Sequence, residues 1–160
     1  MYELDAIDLR ILDLLQQQGR LTMTELGESV GLSTSPCSQR VKRLEQLGVI
    51  SGYHARINPQ ALGNGLLVFV EITLAEKSEH IFNQVRQALE LIPEVQECHL
   101  IAGRFDYLVK ARLGGMGEYR RLLGTILKQM PVASQSNSYV VMEEIKEGMQ
   151  FKIERRRKPG

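Results

Sequence analysis

The sequence is short of cysteine and has almost no charge bias. Of 160 residues only two are cysteine, and the formal net charge is +1. Cys37 and Cys98 lie far apart within apolar stripes, and neither has the spacing of a metal-ligand pair. The histidines, His54, His80 and His99, do not cluster with either cysteine. No metal site is therefore expected. No apolar run is long enough to cross a membrane and no secretory signal is legible, so the expected location is the reduced cytoplasm. A phosphate loop is missing as well: Gly114-Gly115-Met116-Gly117 lacks the Lys and Ser/Thr that would follow it. With no nucleophile–base pair either, an enzyme is the least favoured reading. A net charge so near zero also supplies no bulk attraction to nucleic acid. A DNA reader built on this chain has to work by local geometry and multivalency.

What is present begins with Leu21 to Leu47. Thr22 followed by Glu25 has the form of a capping box, so a helix starts at Met23. Leu26 and Val30 share its inner face, and Gly31 stops it. A second helix follows, with Ser35 as the expected N-cap and Pro36 at the first helical position. Cys37, Val41, Leu44 and Leu47 form its apolar stripe, and Gly48 ends it. The opposite face carries Ser38, Gln39, Lys42 and Arg43, with Arg40 at its edge. Ser and Gln reach base edges, Lys and Arg neutralise phosphates or read guanine, and the helix start at Thr34 and Ser35 suits a phosphate. Two short helices so arranged have the form of a helix-turn-helix over about residues 23–42. The competing reading is a solvated face of an ordinary helical domain.

Upstream, Asp5 is placed to cap a helix from Ala6 to Gln18, with Ile7, Ile11, Leu14 and Leu15 inward and Gly19 as its stop. Downstream, Val49 to Ile57 reads as a short strand or wing, with Tyr53 and Arg56 available to backbone phosphates. Residues 1–58 are thus expected to form the DNA-binding domain and 59–65 a hinge. The second half changes character. Leu66–Leu74 reads as a buried strand, 79–91 as a helix capped by Ser78, 95–102 and 107–113 as strands, 118–130 as a helix and 138–146 as a last strand. Strand, helix, strand, strand, helix, strand predicts an α+β, ferredoxin-like βαββαβ domain over 66–147. Its sheet has two helices on one face only, while LLVFVEITL is apolar on both, which points to a homodimer; the alternative is that the linker or the N-terminal unit covers that face. Residues 148–160 form a tail; from Lys152 to Lys158 it holds five cations and one Glu.

The run LSTSPCSQRVKRLE, with Gly19-Arg20-Leu21, Gly48-Val49-Ile50, GRFDYLVKAR and SYVVMEEIK, resembles the leucine-responsive regulatory protein / AsnC family of transcription regulators. The likeness extends from Leu4 to about Lys152 and leans to the leucine-responsive branch. It implies a sequence-specific regulator of amino-acid metabolism genes that binds double-stranded DNA. It also implies assembly of homodimers to tetramers or octamers, a nucleoid-associated location, and a small amino acid as effector rather than a cofactor. In the family that effector meets a Gly-x-x-Asp turn, here Gly103, Arg104, Phe105 and Asp106. Asp106 suits an ammonium, and Gly103 lets a backbone N–H approach a carboxylate. Leu100 and Met116 are candidate apolar walls, and Ser134, Ser136 and Ser138 candidate hydrogen-bonding partners, from a neighbouring subunit if need be. Val132 after Pro131, the polar stretch ASQSNS and Gly114-Gly115 depart from the family pattern. They flank the expected pocket, so leucine is one candidate effector among several. The alternative function is an architectural, nucleoid-type DNA-binding protein with no effector.

Overall fold

A computed structural model of the chain describes residues 3–130 and 133–154, with the side chains of Ala133 and Ser134 left aside. Pro131, Val132 and the basic run Arg155–Lys158 therefore lie outside the described residues. Contacts divide the chain into two units parted between Arg56 and Ile57, with the residues from Lys146 onward belonging to the first.

The first unit is trihelical. Helix α1 spans Ala6–Gln17, α2 Met23–Val30 and α3 Thr34–Gln46. Asp5 and Asp8 cap the start of α1 reciprocally, each carboxylate accepting the other's backbone N–H. Thr22 and Glu25 do the same for α2. Gln18, not Gly19, is the C-cap of α1. Gly31 ends α2 at φ 73°, in left-handed backbone that a side chain would strain. Gly27 matters for another reason: a Cβ there would meet the Leu32 carbonyl oxygen at 2.7 Å, so the α2–α3 turn needs a bare backbone.

Helix α3 starts earlier than expected. Ser33, extended at φ −74° and ψ 164°, is the N-cap in place of Ser35, and Pro36 falls at the third helical position. The first turn still tolerates it, since N–H groups there lack intrahelical acceptors. Ile11, Leu15, Leu26, Cys37, Val41 and Leu44 close the core. Burying each such aliphatic side chain is worth about 1.5–3 kcal/mol.

Among the described residues no strand forms over 49–57, contrary to the sequence expectation. A strand needs a ladder, and no second strand lies in this unit. The chain is instead turned by the Val49 and Ile50 N–H groups, both donating to the Leu44 carbonyl. Residues 146–154 dock here. The Gln16 amide clamps Phe151, donating to its carbonyl at 2.9 Å and accepting its N–H at 3.3 Å. Arg56 pairs with Glu147 at 3.4 Å.

The second unit has the expected order: β1 Leu66–Leu74, α4 Glu79–Glu90, β2 Val95–Leu100, β3 Tyr107–Leu113, α5 Met116–Gln129 and β4 Ala133–Val140. The strands lie as β2-β3-β1-β4, all neighbours antiparallel. Val68, Val70, Ile72 and Leu74 of β1 and Tyr107, Val109, Ala111 and Leu113 of β3 face Val85, Leu89, Leu122 and Ile126 of the two helices. Cys98, on edge strand β2, is exposed.

Strand β4 differs most from expectation. It begins five residues earlier and ends at Val140 rather than Lys146. ASQSNSYV carries little strand propensity of its own; its ladder to β1 decides it. Beyond Val140 one more bond, Val141 N–H to the Leu67 carbonyl at 2.9 Å, precedes the departure of the chain. Glu144 then meets Arg112 in a forked pair, one arm at 2.9 Å, and the Arg112 side chain is 5% exposed.

That pair yields a prediction. Glu144→Ala leaves a buried guanidinium short of its forked partner and lowers stability by about 2–4 kcal/mol, read by urea unfolding. Glu144→Ala with Arg112→Met recovers most of the loss, because the buried charge has gone as well. Equal losses in the two variants would show that the charge is not the cause.

Candidate functional site

Two polar sites stand out, one in each unit. In the first, the exposed face of α3 holds Thr34, Ser35, Pro36, Gln39, Lys42 and Arg43, with Ser38 and Arg40 half-buried. The cations there are not equivalent. Asp8, 1% exposed, takes Arg40 at 2.7 Å on one oxygen and Arg43 at 3.1 Å on the other. Arg40 also holds Asp5 at 2.6 Å, and Arg43 donates to the Glu3 carbonyl at 2.9 Å. The Asp8 N–H and the Arg40 guanidinium hold the Asp5 carboxyl below its usual range. The carboxylates in turn push Arg40 up.

Arg40 and Arg43 thus tie α3 to the start of α1, and their charge is largely matched before any partner arrives. Among the described residues neither Gln39 nor Lys42 is held by a hydrogen bond or ion pair. Thr34 shares a hydroxyl contact of 3.2 Å with Thr24, which fixes the start of α3 against α2. Of the two wing candidates, Tyr53 donates to Glu45 at 3.0 Å. Burial, then that carboxylate, push its phenol up to about 12. Arg56 is paired with Glu147. Sequence reasoning missed Asp8. Its spacing from Asp5 signals the capping box, but nothing local signals arginines thirty-two and thirty-five residues away.

The second site lies at one end of the sheet. Leu100 closes β2 opposite Tyr107, and Gly103, Arg104 and Phe105 lead into Asp106. Asp106 is 5% exposed. Its N–H donates to the Ile72 carbonyl, and its carbonyl accepts the Ile101 N–H. One carboxylate oxygen accepts the Leu74 N–H at 2.8 Å. The other meets Lys77 Nζ at 2.8 Å. Burial works to raise this carboxyl; the Leu74 N–H and Lys77 outweigh it and hold it below its ordinary value. Lys77 was not among the sequence candidates. It stands in the β1–α4 connection, with no motif to mark it.

The structure gathers only part of the expected pocket. Leu100, exposed, shares this end with Gly103–Asp106. Ser136 is paired with Ile72, near the same end but with two strands between it and β2. Ser138 is opposite Val70, deeper along the sheet. The side chain of Ser134 lies outside the described residues. Met116 does not join them. It follows Leu113, which pairs with Leu66, at the opposite end of the sheet. Six residues of antiparallel ladder separate the two ends, about 20 Å at 3.4 Å per residue.

A trihelical reader followed by a ferredoxin-like unit with a buried acid at one sheet end defines a class, that of DNA-binding regulators with a separate ligand domain. Comparison with known proteins agrees. The Lrp/AsnC ligand binding domain family matches residues 67–151, and the winged helix-turn-helix DNA-binding family matches residues 4–51. A leucine-responsive regulatory protein of Haemophilus influenzae is 50% identical over 144 residues, 90% of this chain and 87% of that one. One of Escherichia coli K12 is 47% identical over 154 residues, 96% of this chain and 94% of that one. A solved transcriptional regulator of Neisseria meningitidis, in complex with L-Met, superposes with TM-score 0.87 at 32% identity, covering 94% of this chain and 97% of the other. The chain belongs to the Lrp/AsnC family of transcription regulators. Residues 4–51 match its DNA-binding domain and residues 67–151 its ligand-binding domain.

Two measurements check the Asp8 cluster. Asp8→Ala lowers stability by roughly 2 kcal/mol, less than for a fully buried pair because both arginines still reach water. Asp5→Asn carries a pH signature. A carboxyl lowered by folding adds stability above its ordinary pKa of about 3.9, and that stability is lost as pH falls through the folded value. The deficit of Asp5→Asn in urea unfolding is therefore full at pH 7 and shrinks below about pH 4. A deficit independent of pH would rule out the charge.

Proposed function

We propose that this regulator controls genes of amino-acid metabolism, with a free amino acid, leucine or methionine among the candidates, as its effector. In this reading Gln39, Lys42 and Ser38 meet base edges and phosphates of a major groove, and the α3 start at Thr34, Ser35 and Pro36 faces a phosphate. Arg40 and Arg43 contribute through the guanidinium N–H groups that Asp8 leaves over. The effector's ammonium is held at Asp106 and its carboxylate by backbone N–H groups of the Gly103–Phe105 turn, with Leu100 as apolar wall. Arg104 lies beside the carboxylate. Met116, at the opposite end of the sheet, completes the site only from another copy, and Ser134, Ser136 and Ser138 are further polar candidates, from a neighbouring copy if need be.

The observation that carries this reading is the pairing of an unengaged Gln39/Lys42 face with a buried acid at the sheet end. The neighbour that binds L-Met and the leucine-responsive relatives support the ligand class. The sheet supports assembly. Half-buried Phe69 of β1 and its exposed ladder partner Tyr139 of β4 lie on the face away from the helices, and among the described residues no helix of the ligand domain covers that side. A homodimer covers it and presents two α3 helices to grooves about 34 Å apart. Dimers then assemble to tetramers or octamers in the cytoplasm, and effector binding shifts the populations between assemblies.

Single substitutions separate the two sites. Gln39→Ala weakens specific DNA binding by about 1–3 kcal/mol, and Lys42→Ala lowers the salt slope of binding by about 1. Both leave the assembly unchanged in light scattering. Asp106→Ala keeps the basal DNA affinity and removes the amino-acid response. Equal affinity for operator and random DNA at fixed salt would instead favour an architectural role.

A further inference from the structure

The acid that would receive the effector is already engaged. Asp106 Oδ2 is fixed by the Leu74 N–H, but Oδ1 is met by the ammonium of Lys77, a side chain 55% exposed on a short connection. Asp106 itself is nearly closed to water, with an 8% exposed side chain. Resting on the effector reading above, we infer that Lys77 is a tethered competitor for the effector's α-ammonium. Its Nζ occupies the carboxylate oxygen that the ligand must take, and the ligand's arrival ejects it.

The chemistry of the two cations is the same. Each is a primary ammonium with three donors and no acceptor, so either satisfies Asp106 Oδ1 and only one does so at full strength. Without a ligand, Lys77 spares the domain a buried carboxylate without a counter-charge. With a ligand, the domain keeps its charge balance at Asp106 and releases Lys77 to water. Release is easy for two reasons. Lys77 immediately precedes Ser78, the N-cap of α4, and a helix N-terminus disfavours a cation. Exposed Glu76 and Glu79 on the same segment offer the freed ammonium other anions.

The exchange also explains a preference for amines. A hydroxy acid presents a neutral hydroxyl, which does not replace a cation at a buried carboxylate. Lys77 therefore raises the threshold for every ligand, and raises it most for those without an ammonium. It also lies where β1 hands over to α4, so its release changes the charge beside the start of that helix.

The test uses the full chain, with L-methionine and L-leucine as probes, followed by titration calorimetry. Lys77→Met is expected to bind whichever probe the wild type binds about two- to fivefold more tightly, the weight of a half-exposed ion pair. Its unliganded thermal stability falls at the same time. A residue that merely supports the fold would lose both affinity and stability. Lys77→Arg keeps a competing cation and stays within about twofold of the wild type. Asp106→Asn weakens binding at least about tenfold, having lost the charge that both ammoniums seek. If Lys77→Met binds no better while Asp106→Asn abolishes binding, the competitor is refuted and the effector site stands. If Asp106→Asn binds like the wild type, or neither amino acid binds any of the proteins, the site assignment fails and the competitor falls with it.

Discussion

A carboxylate taken out of water must be matched by donors and by positive charge, and both working ends of this chain are organised around that demand. Asp8 is 1% exposed and Asp106 5% exposed. Each takes a backbone N–H on one oxygen and cationic partners besides: Asp8 the Asp5 N–H with Arg40 and Arg43, Asp106 the Leu74 N–H with Lys77 on the other oxygen. The solutions differ in kind. The cations at Asp8 come from a helix held by a packed core, so that cluster is permanent and structural. The cation at Asp106 comes from a solvent-facing loop, so it is exchangeable. One acid ties α3 to the start of α1, and the other is the one that the proposed function offers to a small molecule.

The first arrangement has a consequence for DNA recognition. Counting Lys and Arg on α3 overstates the positive charge it offers, because Arg40 and Arg43 are largely neutralised from behind by α1. Lys42 is the cation on that face with no such match among the described residues. Phosphate contacts supply most of the affinity of a typical DNA reader, and each contributes a salt-dependent increment. A domain with so few uncommitted cations binds weakly as a single copy. Repetition of the domain is then the physical route to useful affinity, which joins the charge pattern of the first unit to the half-covered sheet of the second.

Much of the fold was legible because local signals agreed with tertiary needs. LLVFVEITL, capped helices and the Gly-x-x-Asp turn gave β1, α2, α4 and β3 nearly to the residue. The misreadings fall where tertiary context overrides local propensity. Strand β4 is Ser, Gln and Asn held in line by β1. The segment 49–57 alternates like a strand but finds no ladder. Ser33 rather than Ser35 is the N-cap of α3, although its side chain makes no capping hydrogen bond. At the sites, residue types marked Gln39, Lys42 and Asp106, whereas the long-range pairs Asp8–Arg40 and Lys77–Asp106 carry no periodicity or spacing to read. Met116 was grouped with Asp106 by resemblance, and only the antiparallel register sets them at opposite ends.

That register also bears on how ligand and assembly are coupled. A free amino acid has two charged groups and a side chain, and one copy of this domain supplies Asp106, the Gly103–Phe105 backbone and Leu100 at a single sheet end. In the proposed function that covers the charged groups and one flank of the side chain. A half-lined site gives low affinity, because the exposed flank of the ligand keeps its water and gains no packing. Completing the site from a neighbouring copy ties ligand binding to the contact between copies by thermodynamic necessity: whatever strengthens one strengthens the other by the same factor. On the proposed reading, the incompleteness of the pocket within one chain is the physical basis on which a small ligand governs an assembly that reads DNA.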